Sequence, residues 1–137
     1  MNIPEKAFYV KPNNISNGRF FLCEDESKHA LKVLRLKIGD SIILIDGRSM
    51  GYFGEIQKAN KKELSGIIKK VVKDLGENKN DIHISPALIK KRRFEILLEK
   101  ATELGIKEIH PLVMKRSSFE TIDLDRCKKI LIASAKQ

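Results

Sequence analysis

The stretch LIKKRRFEILLEKATELG, residues 88–105, combines a helical hydrophobic pattern with a run of cations where that helix is predicted to begin. Its apolar residues recur every three or four positions along one helical face: Phe94, Leu97, Leu98, Ala101 and Leu104. Gly105 follows them and can end a helix in the left-handed conformation. The glutamates at 95, 99 and 103 form a second stripe, which is typical of a solvent-exposed face.

The cations Lys90, Lys91, Arg92 and Arg93 oppose the electrostatics of a helix beginning. Peptide dipoles leave partial positive charge at that end, so each cation there costs about 0.3–1 kcal/mol. A phosphate bound at the same place would remove this penalty, because the backbone N–H groups and the cations attract the same anion. The pattern predicts a nucleic-acid contact. The alternative is that these long side chains only extend into water.

The second half of the chain has the pattern β-α-β-α. A strand runs through Ile82, Ile84 and Leu88, then come the basic helix, a strand over 108–114 and a helix over 123–137. Acidic residues at 123 and 125 give this last helix a conventional beginning. Parallel strands need cover on both faces, so two strands predict a domain that is cut short at residue 137.

The first half alternates apolar and polar residues and turns often, which predicts short strands in a small barrel. One helix interrupts it at 25–36, with Asp25 as its predicted cap and an apolar stripe of His29, Ala30, Val33 and Leu34. The polar stretch 73–81 has no apolar periodicity and is predicted to be a linker. The predicted domains are therefore residues 1–72 and 82–137.

Composition indicates a globular protein that binds polyanions. The chain has 137 residues, 42% of them hydrophobic, and a net charge of +9. Residues 1–72 carry 13 basic against 8 acidic residues, and residues 73–137 carry 14 against 10, so the excess is spread over both halves. No apolar window is long enough for a membrane span, and no export signal is recognised. Cys23 and Cys127 lack metal or disulfide spacing, which favours a cytoplasmic protein.

Further candidate RNA contacts lie in the first half. A second basic set lies on or just after the helix of the first half: Lys28, Lys32, Arg35 and Lys37. The first three are predicted to share one helical face, and the set is predicted to follow a nucleic-acid backbone. The aromatic residues Phe20, Phe21, Tyr52 and Phe53 can stack on unpaired bases, but aromatic residues in small barrels are more typical of the core.

The stretch HPLVMKRSS, residues 110–118, places Arg116 after the carboxyl end of a predicted strand, where open α/β sheets bind ligands. Arg116 is therefore the leading candidate for a functional residue, with a surface salt bridge as the alternative. His29, His83 and His110 are scattered along the sequence without a carboxylate or cysteine at metal-ligand spacing, so we expect no metal site.

Two stretches, HALKVLRLKIGD (29–40) and EKATELGIKEIHPLVMKRS (99–117), resemble the RsmE family of ribosomal RNA methyltransferases. The family pattern is matched by His29, by Val-Leu-Arg at 33–35 and by Gly-Asp at 39–40. It is matched again by Lys-Ala-Thr-Glu-Leu-Gly at 100–105, by Pro111 and by Arg-Ser at 116–117. Cys127 stands where the family often has a tryptophan.

The resemblance implies an α+β protein of two lobes: a PUA-like RNA-binding β-barrel, then the first β-α-β-α part of a SPOUT (α/β knot) methyltransferase domain, truncated before the knot. It implies methyl transfer from S-adenosylmethionine to N3 of a uridine in 16S rRNA of the small subunit, by an enzyme that is a homodimer when complete. For this reaction our hypothesis is that Arg116 stabilises the uracil anion or a neighbouring phosphate and that Glu103 assists as base or brace, with the exposed end of its stripe as the alternative for Glu103. The family's glycine-rich cofactor loops are absent from these residues, so no cofactor contact is assigned and the 137-residue chain alone is expected to be inactive.

Two other readings stay open. One is a non-catalytic RNA-binding module made of the barrel and the basic helix. The other is an assembly module, in which apolar positions of the last helix meet a partner: Leu124, Cys127, Leu131 and Ala135.

Overall fold

The computed structural model describes residues 7–60, 63–117 and 120–137. The chain forms two compact units that divide between Leu75 and Gly76. The narrower assignment of 73–81 as a linker between domains 1–72 and 82–137 stays a prediction. Within the described ranges, no helix has the length and apolar character that crossing a membrane requires.

The first unit contains one six-stranded sheet. Its strands are β1 (Ala7–Tyr9), β2 (Ile15–Ser16), β3 (Arg19–Phe21), β4 (Ser41–Ile45), β5 (Met50–Ala59) and β6 (Leu64–Lys73). Their order is β1-β4-β5-β6-β3-β2, with β1 and β4 parallel and the other neighbours antiparallel. The predicted strands are therefore present. They form a single sheet in which β1 and β2 are the two outer strands.

Alternation along these strands buries one apolar face. The core comprises Phe8, Val10, Phe20, Leu22, Ala30, Ile42, Leu44, Ile56 and Leu64. Two glycines allow the Phe20 ring to lie directly on the sheet, since a Cβ on Gly54 or on Gly66 would come within 2.8 Å of that ring. A Cβ on Gly66 would also lie 2.0 Å from the Glu55 carbonyl oxygen. Larger residues at either position would therefore force the sheet apart.

The helix of the first unit differs from the prediction in its beginning and in its winding. Helix α1 (Glu24–Lys28) begins after Cys23 as its N-cap, so the predicted cap Asp25 is wrong and lies in the first turn instead. The chain continues as a π-helical turn over His29–Val33, where the Leu34 N–H donates to the His29 carbonyl. This wider winding moves residues off the predicted stripe, and Val33 is 63% exposed.

Ser27 anchors this helix to the sheet. Its side chain is completely buried, which is uncommon for serine. The Ser27 hydroxyl lies 3.3 Å from the Leu22 carbonyl oxygen, to which it donates, and accepts the Leu64 N–H at 3.0 Å. Both hydrogen-bonding capacities of a buried hydroxyl are thus used, and the beginning of β6 is fixed to the helix.

The second unit has the predicted order of elements. Strand β7 (His83–Ile84), helix α2 (Lys91–Glu103), strand β8 (Glu108–Ile109) and helix α3 (Leu124–Ala135) follow one another. β7 and β8 are parallel, and a bridge between Ala87 and Leu112 extends their pairing. The strands are shorter than the sequence predicts, because regular pairing ends where Pro86 and Pro111 interrupt the two segments.

Both helices of the second unit pack on one apolar cluster. Leu88, Phe94 and Leu98 are buried there, and Ile109, Ile122, Cys127, Ile130 and Leu131 pack against them. Cys127 and Leu131, which the assembly reading offers to a partner, are therefore partly buried against this unit's own core, and that reading stays a prediction. Leu124 is exposed, and so is Leu104, which the helical stripe had placed in the core.

Helix α2 ends as the sequence predicts. Gly105 has φ +69°, and the Ile106 N–H donates to the Ala101 carbonyl, which gives the hydrogen bond of a Schellman cap. The Asn78 amide adds hydrogen bonds to the carbonyls of Leu104 (2.7 Å) and Gly105 (3.1 Å). Carbonyl groups that a helix end leaves without partners are thereby satisfied.

Candidate nucleic-acid interface

The beginning of α2 presents four cations that form no ion pair with a carboxylate of the described residues. Lys90 is the N-cap residue, no side chain caps the helix, and the first turn contains no acidic residue. Lys90, Lys91, Arg92 and Arg93 are all exposed. Among the described residues, none of the four has a carboxylate oxygen within the 4 Å of an ion pair. Their charges therefore face solvent at the positive end of the helix dipole.

The beginning of α3 has the opposite electrostatics. One carboxylate oxygen of Asp123 accepts the Arg126 N–H at 2.9 Å, and Asp125 lies in the first turn. This is a conventional N-cap with an anion at the positive end of the helix. The prediction of acidic residues at this helix beginning is confirmed.

A cleft of about 290 Å³ lies between the beginnings of the two helices. Lys91 and Glu95 of α2 line it together with Asp123 and Arg126, and its apolar wall includes Phe94. Glu95 and Arg126 are joined across it by two hydrogen bonds, with Nη2 to Oε2 at 2.9 Å. Lys91 is consequently the one basic lining residue of this cleft, within the described chain, that has no carboxylate partner.

The contact between Glu95 and Arg126 shifts the pKa values of both residues. The hydrogen bond from Arg126 lowers the pKa of Glu95, and the charges of Arg126 and Lys91 act in the same direction. The same hydrogen bond raises the pKa of Arg126. Burial raises the pKa of Cys127, as do the nearby carboxylates of Asp123 and Glu95. Glu95 therefore departs from the predicted solvated stripe, because its carboxylate is held by the neighbouring helix.

The second basic set does not share one helical face. The Lys28 ammonium lies 2.7 Å from Glu24 and is thus offset by a neighbouring charge, whereas Lys32 is exposed. Arg35 lies beyond the helix with φ +54°, so the prediction that it continues the face of Lys28 and Lys32 is wrong. The backbone N–H of Lys37 donates to the Asp40 carboxylate at 2.7 Å. The π-helical turn ends the helix too early for the predicted spacing.

Strand β3 exposes a further basic and aromatic pair. Arg19 and Phe21 point to the side of the strand opposite to buried Phe20, and both line a shallow cleft of about 220 Å³. Phe21 is 39% exposed, so it is available for stacking while Phe20 belongs to the core. Arg19 was not among the sequence candidates. The sequence could have indicated Arg19, because residues two apart in a strand point to the same side and Arg19 therefore lies beside Phe21.

The two catalytic candidates differ in their surroundings. Arg116 is exposed in a turn that Ser117 closes, since the Met114 N–H donates to the Ser117 hydroxyl at 2.7 Å and the Ser117 N–H donates to the Met114 carbonyl at 2.8 Å. The Glu103 carboxylate accepts two hydrogen bonds from the Lys100 ammonium, at 2.9 and 3.1 Å. Arg116 is therefore held out to solvent, while Glu103 is engaged by a cation of its own helix.

Two of the three histidines come together around one carboxylate. Glu108 Oε2 lies 3.3 Å from His83 Nδ1 and 3.0 Å from His110 Nε2. The two imidazole rings are stacked, with centroids 5.9 Å apart. The expectation that the histidines are scattered is wrong for this pair, because the parallel pairing of β7 and β8 joins positions that are distant in the sequence. His29 lies instead edge-on to Phe8 in the first unit.

Comparison with known proteins identifies both units. The family model described as an RNA methyltransferase PUA domain matches residues 22–69, and the model described as an RNA methyltransferase domain matches residues 76–137. A curated relative, ribosomal RNA small subunit methyltransferase E of Rickettsia conorii, is 28% identical over 130 residues. The chain thus combines two domains that match RNA methyltransferase models, and it is similar to the RsmE enzymes. This confirms the resemblance seen in the sequence.

Solved structures agree with this assignment. A crystal structure of a predicted RNA methyltransferase from Thermotoga maritima is 31% identical, with a TM-score of 0.76, and the match covers 96% of this chain and 59% of that one. Ribosomal RNA small subunit methyltransferase E from Neisseria gonorrhoeae, solved with bound S-adenosyl methionine, is 25% identical with a TM-score of 0.79. That match covers 96% of this chain and 55% of the Neisseria chain. The Rickettsia match covers 94% of this chain and 53% of its relative, so the chain spans about half the length of the curated relatives it matches.

We assign no contact with S-adenosylmethionine to the described residues of the second unit. A donor site of this kind needs backbone that the ligand can approach closely, which glycines commonly provide. Beside Gly105 such an approach is blocked, because a Cβ built there would lie 2.6 Å from the Asn78 amide nitrogen. The cleft between the helix beginnings is lined by the Glu95–Arg126 pair, whose polar groups already bond to each other. The sequence expectation that no cofactor contact belongs to these residues therefore stays our assignment.

Proposed function

We propose that this chain is the RNA-binding and base-positioning part of an enzyme that methylates N3 of a uridine in 16S rRNA with S-adenosylmethionine. The observation that carries the proposal is the succession of the two family matches, a PUA domain and then a methyltransferase domain, over residues 22–69 and 76–137. The small-subunit rRNA comes from the names of the relatives, and the donor comes from the Neisseria protein. N3 of uridine as the acceptor, and a SPOUT class for the second unit, come from the family resemblance.

The four cations at the beginning of α2 would bind the RNA backbone. They are exposed, they lack carboxylate partners among the described residues, and they surround a helix end that itself attracts anions. Phosphate contacts of this kind fix the position and orientation of a nucleic acid without reading its sequence. In the first unit, Lys32 and the exposed pair Arg19 and Phe21 would add a backbone contact and a stacking surface.

The proposed reaction places further demands on the site. N3 of uracil carries a proton on the base-pairing edge, so the target must be unpaired and must lose that proton as the methyl group is transferred. Arg116 is exposed and so can reach the developing uracil anion or a neighbouring phosphate. A preorganised donor of this type contributes about 2.7–4 kcal/mol. The role of Glu103 as the base stays a prediction. To accept the N3 proton, its carboxylate would have to release the hydrogen bond from the Lys100 ammonium.

The partners proposed for the complete enzyme follow the same resemblance. They are 16S rRNA within the small ribosomal subunit and a second copy of the enzyme in a homodimer, in the cytoplasm. A second candidate function is a non-catalytic RNA-binding module. It is supported by one specific observation, namely the four exposed cations at the beginning of α2, which need no methyl donor in order to bind an RNA backbone.

The gene that encodes this chain provides the decisive test between the two functions. We expect its deletion to remove N3-methyluridine from 16S rRNA, measured by mass spectrometry of the nucleosides, and re-expression to restore it. Unchanged N3-methyluridine in the deletion strain would contradict the methyltransferase function and favour the RNA-binding module.

The location of the donor site has its own test. We expect titration calorimetry of the 137-residue chain with S-adenosylmethionine to show no binding, whether or not RNA is present. Saturable binding would contradict the assignment of the donor site to residues outside those described here.

A further inference from the structure

We propose that His83, Glu108 and His110 bind one divalent transition metal ion, with Zn²⁺ as the ion that their donor atoms favour. The site lies on the exposed side of the two-stranded sheet of the second unit. It is independent of the proposed RNA contacts and of the methyl-transfer reaction.

The strand register brings the three side chains to one face. His83 is paired directly with Glu108 in the parallel ladder, and His110 follows Glu108 by two residues. Side chains two apart along an extended segment point to the same side, so Glu108 and His110 share the side on which His83 lies. Ile109, which points the other way, packs against the apolar cluster of the unit. The core therefore fixes which face carries the three polar residues.

The donor atoms already have nearly the separations that a metal requires. For bonds of 2.0–2.2 Å in a tetrahedral arrangement, donor atoms lie roughly 3.4 Å apart. Glu108 Oε2 is 3.3 Å from His83 Nδ1 and 3.0 Å from His110 Nε2. All three donor atoms lie within 4.8 Å of one another. Small side-chain adjustments would complete the geometry, because all three side chains are exposed enough to rotate.

The chemistry of the three donors favours zinc over the hard cations. Two imidazole nitrogens with one carboxylate oxygen are a common set for Zn²⁺, whereas Mg²⁺ and Ca²⁺ prefer oxygen donors. Between about 44% and 53% of each side chain is exposed, which leaves solvent access for a fourth ligand. The neighbouring cation Lys107 is paired with Asp81 at 2.7 Å, so its charge is partly offset next to the site.

Metal titration of the chain tests this proposal directly. We expect calorimetry with ZnCl₂ to show one saturable site per chain, and added Zn²⁺ to raise the thermal unfolding midpoint, because a ligand bound only by the folded state stabilises it. Co²⁺ should give visible absorption bands of a nitrogen- and oxygen-bound ion, and Zn²⁺ should displace them.

Variants locate the site. We expect His83→Ala, His110→Ala and Glu108→Gln each to weaken Zn²⁺ binding by about tenfold or more, with unchanged far-ultraviolet circular dichroism. The matched controls are His29→Ala, which removes the histidine outside the cluster, and Asp125→Asn, which removes an exposed carboxylate of α3 that is not a proposed ligand. Both controls should bind Zn²⁺ within about twofold of the unmodified chain.

Three results would overturn the metal site. They are no saturable Zn²⁺ binding, binding that persists in His83→Ala and His110→Ala, and binding that the His29→Ala control abolishes. In each case Glu108 would only accept hydrogen bonds from two surface imidazoles.

Discussion

Helices α2 and α3 pack on the same apolar cluster and have nearly the same length, 13 and 12 residues, yet their beginnings are built oppositely. Helix α3 has an aspartate cap and an acidic first turn. Helix α2 has no capping side chain, no acid in its first turn and four cations around it. The chain therefore uses a capped, acidic helix beginning in α3. The beginning of α2 lacks both features, which lowers the free energy of unfolding. We attribute this difference to the binding of RNA phosphates.

The largest stability effect is expected at the conventional helix beginning. Asp123→Ala removes the acceptor for the Arg126 N–H and should lower the free energy of unfolding by about 1 kcal/mol, within the range of 0.5–2 kcal/mol for lost N-caps. Urea denaturation measures this change. Asp123→Asn is the matched control, because asparagine caps helices about as well as aspartate. An equal loss in both variants would show that the negative charge of Asp123, and not its hydrogen bond, stabilises this helix beginning. No loss in Asp123→Ala would mean that the contrast between the helices is smaller than we describe.

A smaller effect of opposite sign is expected at the basic helix beginning. Replacing Arg92 and Arg93 by glutamine removes two exposed cations from the positive end of α2 and should raise the free energy of unfolding by about 0.3 kcal/mol per residue, the lower end of the range for such charges. The control replaces exposed Lys128 and Lys129, in the middle of α3, and should show no such gain. If Arg92→Gln/Arg93→Gln proves less stable than the unmodified chain, these arginines stabilise the fold and our interpretation fails.

The smallest effect concerns the Glu95–Arg126 pair, which joins the two helix beginnings. Because Arg126 lowers the pKa of Glu95 in the folded state, this carboxylate contributes stability that is fully present above its ordinary pKa of about 4.3. That contribution is lost as the pH falls through the lowered folded-state pKa. Glu95→Gln should therefore narrow the stability difference between pH 6 and pH 3, as followed by urea denaturation. An unchanged pH dependence would show that the exposed pair is too weak to matter.

Much of the fold was predictable because the relevant signals are local. The strands of the first unit follow from two-residue alternation, and α2 with its Gly105 end follows from one apolar stripe. The π-helical turn after α1 was not predictable, since a wider winding gives no separate hydrophobic period over five residues. The Cys23 cap was missed because Asp25 is the better capping residue by type, and only the path of the chain places Cys23 at the helix beginning.

The candidate sites also divide into those that consecutive residues predict and those that depend on how distant parts of the chain pack. The cations at the beginning of α2 were visible because charge and helix position are both readable from consecutive residues. The histidine–glutamate cluster was not, since His83 and Glu108 are 25 positions apart and only the parallel register of β7 with β8 joins them. The Glu95–Arg126 pair was hidden for the same reason, because it depends on how α2 and α3 pack.

The salt dependence of RNA binding tests the central claim most directly. Affinity for a fluorescent single-stranded fragment of 16S rRNA, measured by anisotropy between 50 and 300 mM KCl, should fall with a slope of about 0.7 per neutralised phosphate on logarithmic axes. Arg92→Gln/Arg93→Gln should reduce this slope by about 1.4, whereas Lys128→Gln/Lys129→Gln, with the same change in charge, should leave it nearly unchanged. Equal slopes in the two double variants, or no measurable RNA binding by the unmodified chain, would contradict a phosphate contact at the beginning of α2.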